Sequence, residues 1–219
     1  MRSAAVVFLV LSVALAGDAQ AQRRRAPAKK VVPRPAPTRT EPAQVKCPES
    51  LGKGVRTGVS YCFVLAGRDA AQGVVVTIPP HTGIATLMFD LHNRHTYSEE
   101  DLRAGRAYSK YTAIVGVLTM KNELLSRGAV QSEFRTVADL YERISGGAGP
   151  GGAKAVAPIG REQVVVAIPA GVDQVSLLGE VLDATTSAGR ETATPGRTVA
   201  IVSNVKVEYR PAPPPKKKR

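Results

Sequence analysis

Histidine is the side chain best suited to proton transfer and metal ligation near neutral pH, and only three occur in this chain of 219 residues. Two of them form the segment His92-Asn93-Arg94-His95, with Glu99, Glu100 and Asp101 just downstream. Zinc requires three or four such donors converging at about 2.0 to 2.3 Å. Positions i and i+3 of a strand face opposite sides, so both rings reach one ion only if the chain turns between them. The expectation is a polar loop, with no metal and no cofactor; metal binding or catalysis there is the alternative. The same segment leads into Tyr97, Tyr108 and Tyr111. In a chain without tryptophan these rings are the best platform for stacking a glycan. His92, Arg94, His95, Tyr97, Tyr108 and Tyr111 are accordingly the first choice for a ligand site. His81, in Pro79-Pro80-His81-Thr82-Gly83, reads as a solvated turn residue.

Other catalytic patterns fail on context. Residues Gly147-Ala148-Gly149-Pro150-Gly151-Gly152 satisfy G-x-G-x-x-G by letter. They follow an expected helix and contain a proline, whereas a nucleotide fingerprint follows a strand and opens a helix. The segment is read as a flexible connection. No G-x-S-x-G elbow is present. Asp90 and Glu180 are the carboxylates an internal repeat could bring together, and glycoside hydrolysis needs about 5 to 9.5 Å between such a pair. Acidic side chains on a wet sheet face are the preferred reading, which leaves a hydrolase as the third choice of function.

The elements that must position these residues are mostly strands. Alternation of apolar and polar residues marks 57–65, 73–78, 84–91, 110–120, 163–168, 174–182 and 198–209. In the last of these, Val199, Ile201, Val205, Val207 and Tyr209 share one expected face. Phe63, Phe89 and Phe134 fall in apolar patterns and are expected in the core. Helices are expected from Ser98 to about Ala107 and from Thr136 to Ser145. Residues 74–91 also align without gaps on 164–181, matching Val74, Val75, Val76, Ile78, Pro79 and Leu87 to their equivalents 90 positions on. Each copy reads as strand, Pro-initiated turn and strand, and the two are expected to form the central pairs of the sheets. Together these features predict an all-β fold. It is a jelly-roll-like antiparallel β-sandwich with one or two short helices, flanked by disordered basic Pro-rich tails.

Residues 1–21 read as a signal peptide: Arg2, an apolar run from Ala4 to Ala16 interrupted only by Ser12, and Ala19-Gln20-Ala21 at the cleavage site. The run is about 13 residues, short of the roughly 20 needed to span a bilayer, and no transmembrane segment is expected. The chain is therefore read as exported, to the periplasm or outside the cell. In that setting Cys47 and Cys62 are expected to form a disulfide. Residues 22–46 are read as a disordered basic arm, 47–209 as the sandwich domain and 210–219 as a second disordered basic tail.

The net charge of +12 belongs to these tails. The arm carries Arg23, Arg24, Arg25, Lys29, Lys30, Arg34, Arg39 and Lys46 against Glu41, and the second tail carries Arg210, Lys216, Lys217, Lys218 and Arg219. The sandwich between them has equal numbers of acidic and basic side chains. The leading expectation is a non-catalytic exported protein whose tails bind an anionic envelope polymer or lipid surface. Nucleic acid is not an expected partner of an exported chain. A carbohydrate- or ligand-binding module using the His92 to Tyr111 region is the alternative.

Overall fold

The computed structural model describes residues 36–146 and 154–213. The expected signal peptide, most of the basic arm, the Gly-rich segment from 147 and the four terminal cations lie outside the described residues. In chain order the strands are β1 (Arg39–Pro42), β2 (Gln44–Lys46), β3 (Ser50–Lys53), β4 (Ser60–Leu65), β5 (Val74–Thr77), β6 (Ala85–His92), β7 (His95–Tyr97) and β8 (Ser109–Thr119). They continue with β9 (Leu124–Phe134), β10 (Leu140–Arg143), β11 (Lys154–Pro158), β12 (Glu162–Ile168), β13 (Gln174–Thr186), β14 (Gly189–Thr192) and β15 (Thr198–Tyr209). One α-helix, α1 (Glu99–Arg103), is capped by Ser98, whose hydroxyl accepts the Asp101 N–H. No helix among the described residues is long and apolar enough to cross a membrane.

Two sheets face each other, in the orders β12-β6-β15-β4-β3 and β2-β5-β13-β8-β9. The antiparallel pairs are nested in sequence: β8 with β9, β6 with β12, β5 with β13, and β4 with β15. One long hairpin rolled onto itself gives this order, and that is the jelly roll. The internal repeat finds its meaning here. Its two copies do not form hairpins of their own. The first strand of each pairs with the second strand of the other, Val76 opposite Val175 and Val166 opposite Leu87. Pro79 and Pro169 therefore both open crossings from one sheet to the other. At that end the His81 ring nitrogens lie 3.0 Å from the Pro79 carbonyl and 3.3 Å from the Pro169 carbonyl. His81 thus joins the two crossings and is not a freely solvated turn residue.

The core between the sheets is built from alternate positions: Val74 and Val76, Leu87 and Phe89, Val115 and Val117, Val175 and Leu177. Full burial of such a side chain stabilises by about 1.5 to 3 kcal/mol. β15 departs from its expected single face. Its pairing with β6 slips between Ser203 and Lys206, where Asn204 takes a φ of 52°. The extra residue reverses the alternation, so Val202 and Val207 enter the main core while Ile201 points out of the opposite face.

That outer face is not wet. A third sheet, in the order β10-β11-β7, covers it. Ile144, Ala155 and Ala157 pack there on Leu51, Tyr61, Phe63 and Ile201. The helix expected from Thr136 to Ser145 is replaced by a short turn of 3-10 helix, Val137–Asp139, followed by β10. Pairing with β11 and inward placement of Glu142 and Ile144 at a period of two outweigh the local helical spacing. Helix α1 also ends at Arg103, short of Ala107.

The arm is shorter than expected at its sandwich end. Residues 39–42 pair with the end of β15 and 44–46 with β5. Both are outer positions of their sheets, where a proline such as Pro42 is tolerated. The second tail is shortened too, since the Thr82 N–H donates to the Arg210 carbonyl and the Ala212 N–H to that of Pro80. Removing residues up to Thr38 should leave the melting temperature unchanged, whereas removal through Lys46 deletes two strands and should lower it.

Cys47 and Cys62 are disulfide-bonded, closing a separation of 15 residues. Cys47 follows β2 in one sheet and Cys62 lies in β4 of the other, so the bond joins the two layers. A loop of this size corresponds to roughly 3 kcal/mol. Paired Cys47→Ser and Cys62→Ser substitutions should lower the denaturant midpoint accordingly, and a midpoint equal to that of the oxidised parent would contradict this.

Candidate functional site

Polar side chains enter the interior at two places. The first is the layer between β6 and the third sheet. His92, at the end of β6, is buried, with Nε2 3.0 Å from the Ser203 hydroxyl. Its ring meets Tyr61 edge-on at 5.5 Å and stacks on Tyr141 at 6.1 Å. Burial pushes the imidazole down to about 4, against the raising influence of Asp90. Asp90 itself accepts from Arg161 at 2.8 Å and Asn204 at 2.7 Å.

A buried carboxylate that the sequence reading missed completes this layer. Glu142 accepts the backbone N–H groups of Arg56 and Thr57, both at 2.7 Å, and the hydroxyls of Thr57 at 2.7 Å and Tyr61 at 3.2 Å. Burial disfavours its charge, but these four donors outweigh that and hold its carboxyl below the ordinary value. Gly54 is required beside it, because a Cβ there would collide with the carboxylate. Every acceptor site is engaged from within, which makes this a structural group.

The second place is the open end of the main sandwich. His95 is buried in β7, with Nδ1 2.6 Å from the Ser109 hydroxyl and Nε2 3.1 Å from that of Ser132. Ser132 in turn donates to Asn93 at 2.7 Å. The ring lies flat on Tyr111 at 4.1 Å, and burial pushes it down to about 4. His92 and His95 thus occupy different layers, held by different partners, and neither lies in a polar loop. They do not converge on one ion.

Beside Tyr111 the open end forms a cavity of about 400 Å³. Arg94, Glu191 and Arg197 bring charge to it, and Thr192, Thr194 and Thr198 bring hydroxyls. The Arg94 guanidinium carbon sits 5.5 Å from the centre of the Phe63 ring, and its Nε is buried without a hydrogen-bond partner. No protein-family model matches this chain, and no curated protein is detectably similar to it. The site is therefore read from its own chemistry.

Of the six residues expected to form a ligand site, Arg94 and Tyr111 line this cavity. His92 lies beneath the third sheet, and His95 backs Tyr111 from inside. Tyr108 lies beneath the Arg135 guanidinium, 5.0 Å from its ring centre. Tyr97 lies in β7, opposite Lys154 of β11. Glu191, Arg197 and the threonines were missed because they come from the end of β14, the start of β15 and the turn between them, 80 or more residues from Tyr111 in sequence.

Asp90 and Glu180 do not form a pair. Asp90 lies on the outer face of the first sheet, while Glu180 bonds Arg127 at 2.7 Å on the outer face of the second. Sheets stack about 10 Å apart, so the whole core separates these carboxylates and they cannot flank one glycosidic bond.

The described body also fixes where the cationic segments depart. β1 runs antiparallel to the end of β15, which makes Arg39 and Tyr209 direct partners. The Tyr209 hydroxyl donates to Glu41 at 2.9 Å and locks this pairing. The chain before Arg39 therefore starts beside Tyr209, while the chain after Tyr209 runs on along residues 80–82 as far as Ala212.

Proposed function

We propose that this is an exported, non-catalytic jelly-roll protein held at an anionic envelope surface by its two cationic segments acting together. The pairing of Arg39 with Tyr209 carries this reading. It supports a single anchor, because Arg23, Arg24, Arg25, Lys29, Lys30 and Arg34 precede Arg39 in the chain, and Lys216, Lys217, Lys218 and Arg219 follow its partner Tyr209 after the short stretch held along residues 80–82. A basic side chain close to an anionic membrane surface contributes about 1 kcal/mol, screened over roughly 8 Å at physiological salt. Two segments on one body raise each other's effective concentration at the surface. The body between them is charge-balanced and is carried along.

Deleting 22–38 and 214–219 from the exported chain should leave the fold intact and shift the protein from envelope to soluble fractions. Unchanged retention in the envelope fraction would contradict the reading.

A further inference from the structure

The cavity beside Arg94 is unexplained by the anchor. Its volume of about 400 Å³ suits a small ligand. Most buried donors in folded proteins are satisfied, yet the Arg94 Nε is not, and nor is the neighbouring Asn93 Nδ2. Several arginines elsewhere on this body find carboxylates, Arg106 with Asp101, Arg127 with Glu180, Arg161 with Asp90 and Arg190 with Asp183, and Arg56 finds the Tyr141 carbonyl. Arg94 and Arg197 line the cavity with no ion pair among the described residues.

We propose that this cavity binds a polyhydroxylated monocarboxylate, a hexuronic acid or short uronide being the simplest example. Two guanidinium groups and the Glu191 carboxylate leave one unbalanced positive charge on the cavity lining itself, Glu49 being the carboxylate that acts on Arg94 from outside it. A single carboxylate neutralises it, whereas a doubly charged phosphate would face Glu191. A guanidinium is also the natural planar partner of a carboxylate. Thr192, Thr194, Thr198 and Glu191 supply donors and acceptors for sugar hydroxyls. Tyr111 forms a wall that cannot drift, because His95 stacks behind it and is tied to Ser109 and Ser132. Phe63 beneath Arg94 restrains the guanidinium in the same way. Such a base holds the binding groups in place before the ligand arrives.

The test is calorimetric titration of the mature chain with galacturonate, with its neutral methyl ester and inorganic phosphate as separate arms. Galacturonate should bind, and the ester at least about tenfold more weakly. Arg94→Gln and, at an exposed position that leaves the core untouched, Arg197→Ala should each weaken binding about tenfold. Both variants keep every tail cation, so a loss reports the cavity and not the anchor. Equal binding of ester and acid, unchanged affinity in both variants, or no heat at about 10 mM ligand would overturn the proposal. Phosphate binding more tightly than galacturonate would also overturn it, in favour of a simple oxyanion site.

Discussion

Acidification from pH 6.5 to pH 4 should cost this domain roughly 3 kcal/mol for each of its two buried imidazoles. His92 and His95 are pushed by burial from the ordinary 6.5 down to about 4. Below pH 6.5 the unfolded chain takes up a proton at each, while the folded chain holds both rings neutral until about pH 4. The unfolded state therefore binds more protons across that window, and stability falls as the pH falls. Above pH 6.5 and below pH 4 these two groups contribute no slope. Around His92 the facing groups are Asp90 and Glu142, which favour its charged form, and Arg161, which opposes it. His95 is surrounded by hydroxyls and rings instead. His95→Gln should lower stability at pH 7.5 and yet flatten the decline toward pH 4, because one of the two titrating groups is gone. Urea midpoints measured across this range decide it: parallel curves for parent and variant would contradict the assignment.

Glu142→Ala should be comparably severe, at about 2 to 3 kcal/mol. The substitution strands the buried Tyr61 hydroxyl, at about 1 to 3 kcal/mol for an unsatisfied buried donor, and removes the carboxylate's bonds to the N–H groups of Arg56 and Thr57 and to the Thr57 hydroxyl, at exposed residues that water can reach. Tyr61, whose hydroxyl is pushed up by burial and by Glu142, loses its partner. Gly54→Ala should damage the same layer from the other side, since the added methyl group displaces the carboxylate. The depressed Glu142 carboxyl adds stability that is present above the ordinary glutamate range and lost as the pH falls through its lower folded value. Glu142→Gln keeps the shape but offers an amide N–H to groups that are themselves donors, so it should fall between Ala and the parent. A Glu142→Ala denaturant midpoint equal to that of the parent would show that the carboxylate is dispensable.

Alternation of apolar residues made the sandwich legible, because a strand with one face in a core must repeat every second position. The repeat at 74–91 and 164–181 marked the sheet crossings, but sequence cannot tell a hairpin from two strands that exchange partners 90 residues apart. β9 escaped notice because its inward positions include Ser126, Gly128 and Ser132, small or polar where strands usually show bulk. Glu142 was hidden by a helical spacing of Val137, Leu140, Tyr141 and Ile144 that the fold overrides. A strand reading of Leu140, Glu142 and Ile144 would have pointed the carboxylate inward. The histidines were misread for a related reason. Their hydroxyl partners, Ser203 for His92, and Ser109 and Ser132 for His95, lie 14 to 111 residues away, so their burial had no local signature. Arg94 and Tyr111 could be singled out as a cation and a ring close in sequence, whereas the segment facing them could not.

The pooled cationic anchor is tested most directly by sedimentation with phosphatidylglycerol-rich vesicles, comparing the mature chain with versions lacking either basic segment or both. The account predicts that losing one segment weakens binding by more than tenfold, that losing both abolishes it, and that added salt weakens the parent steeply. A body without either segment that sediments with the vesicles as well as the parent would contradict it.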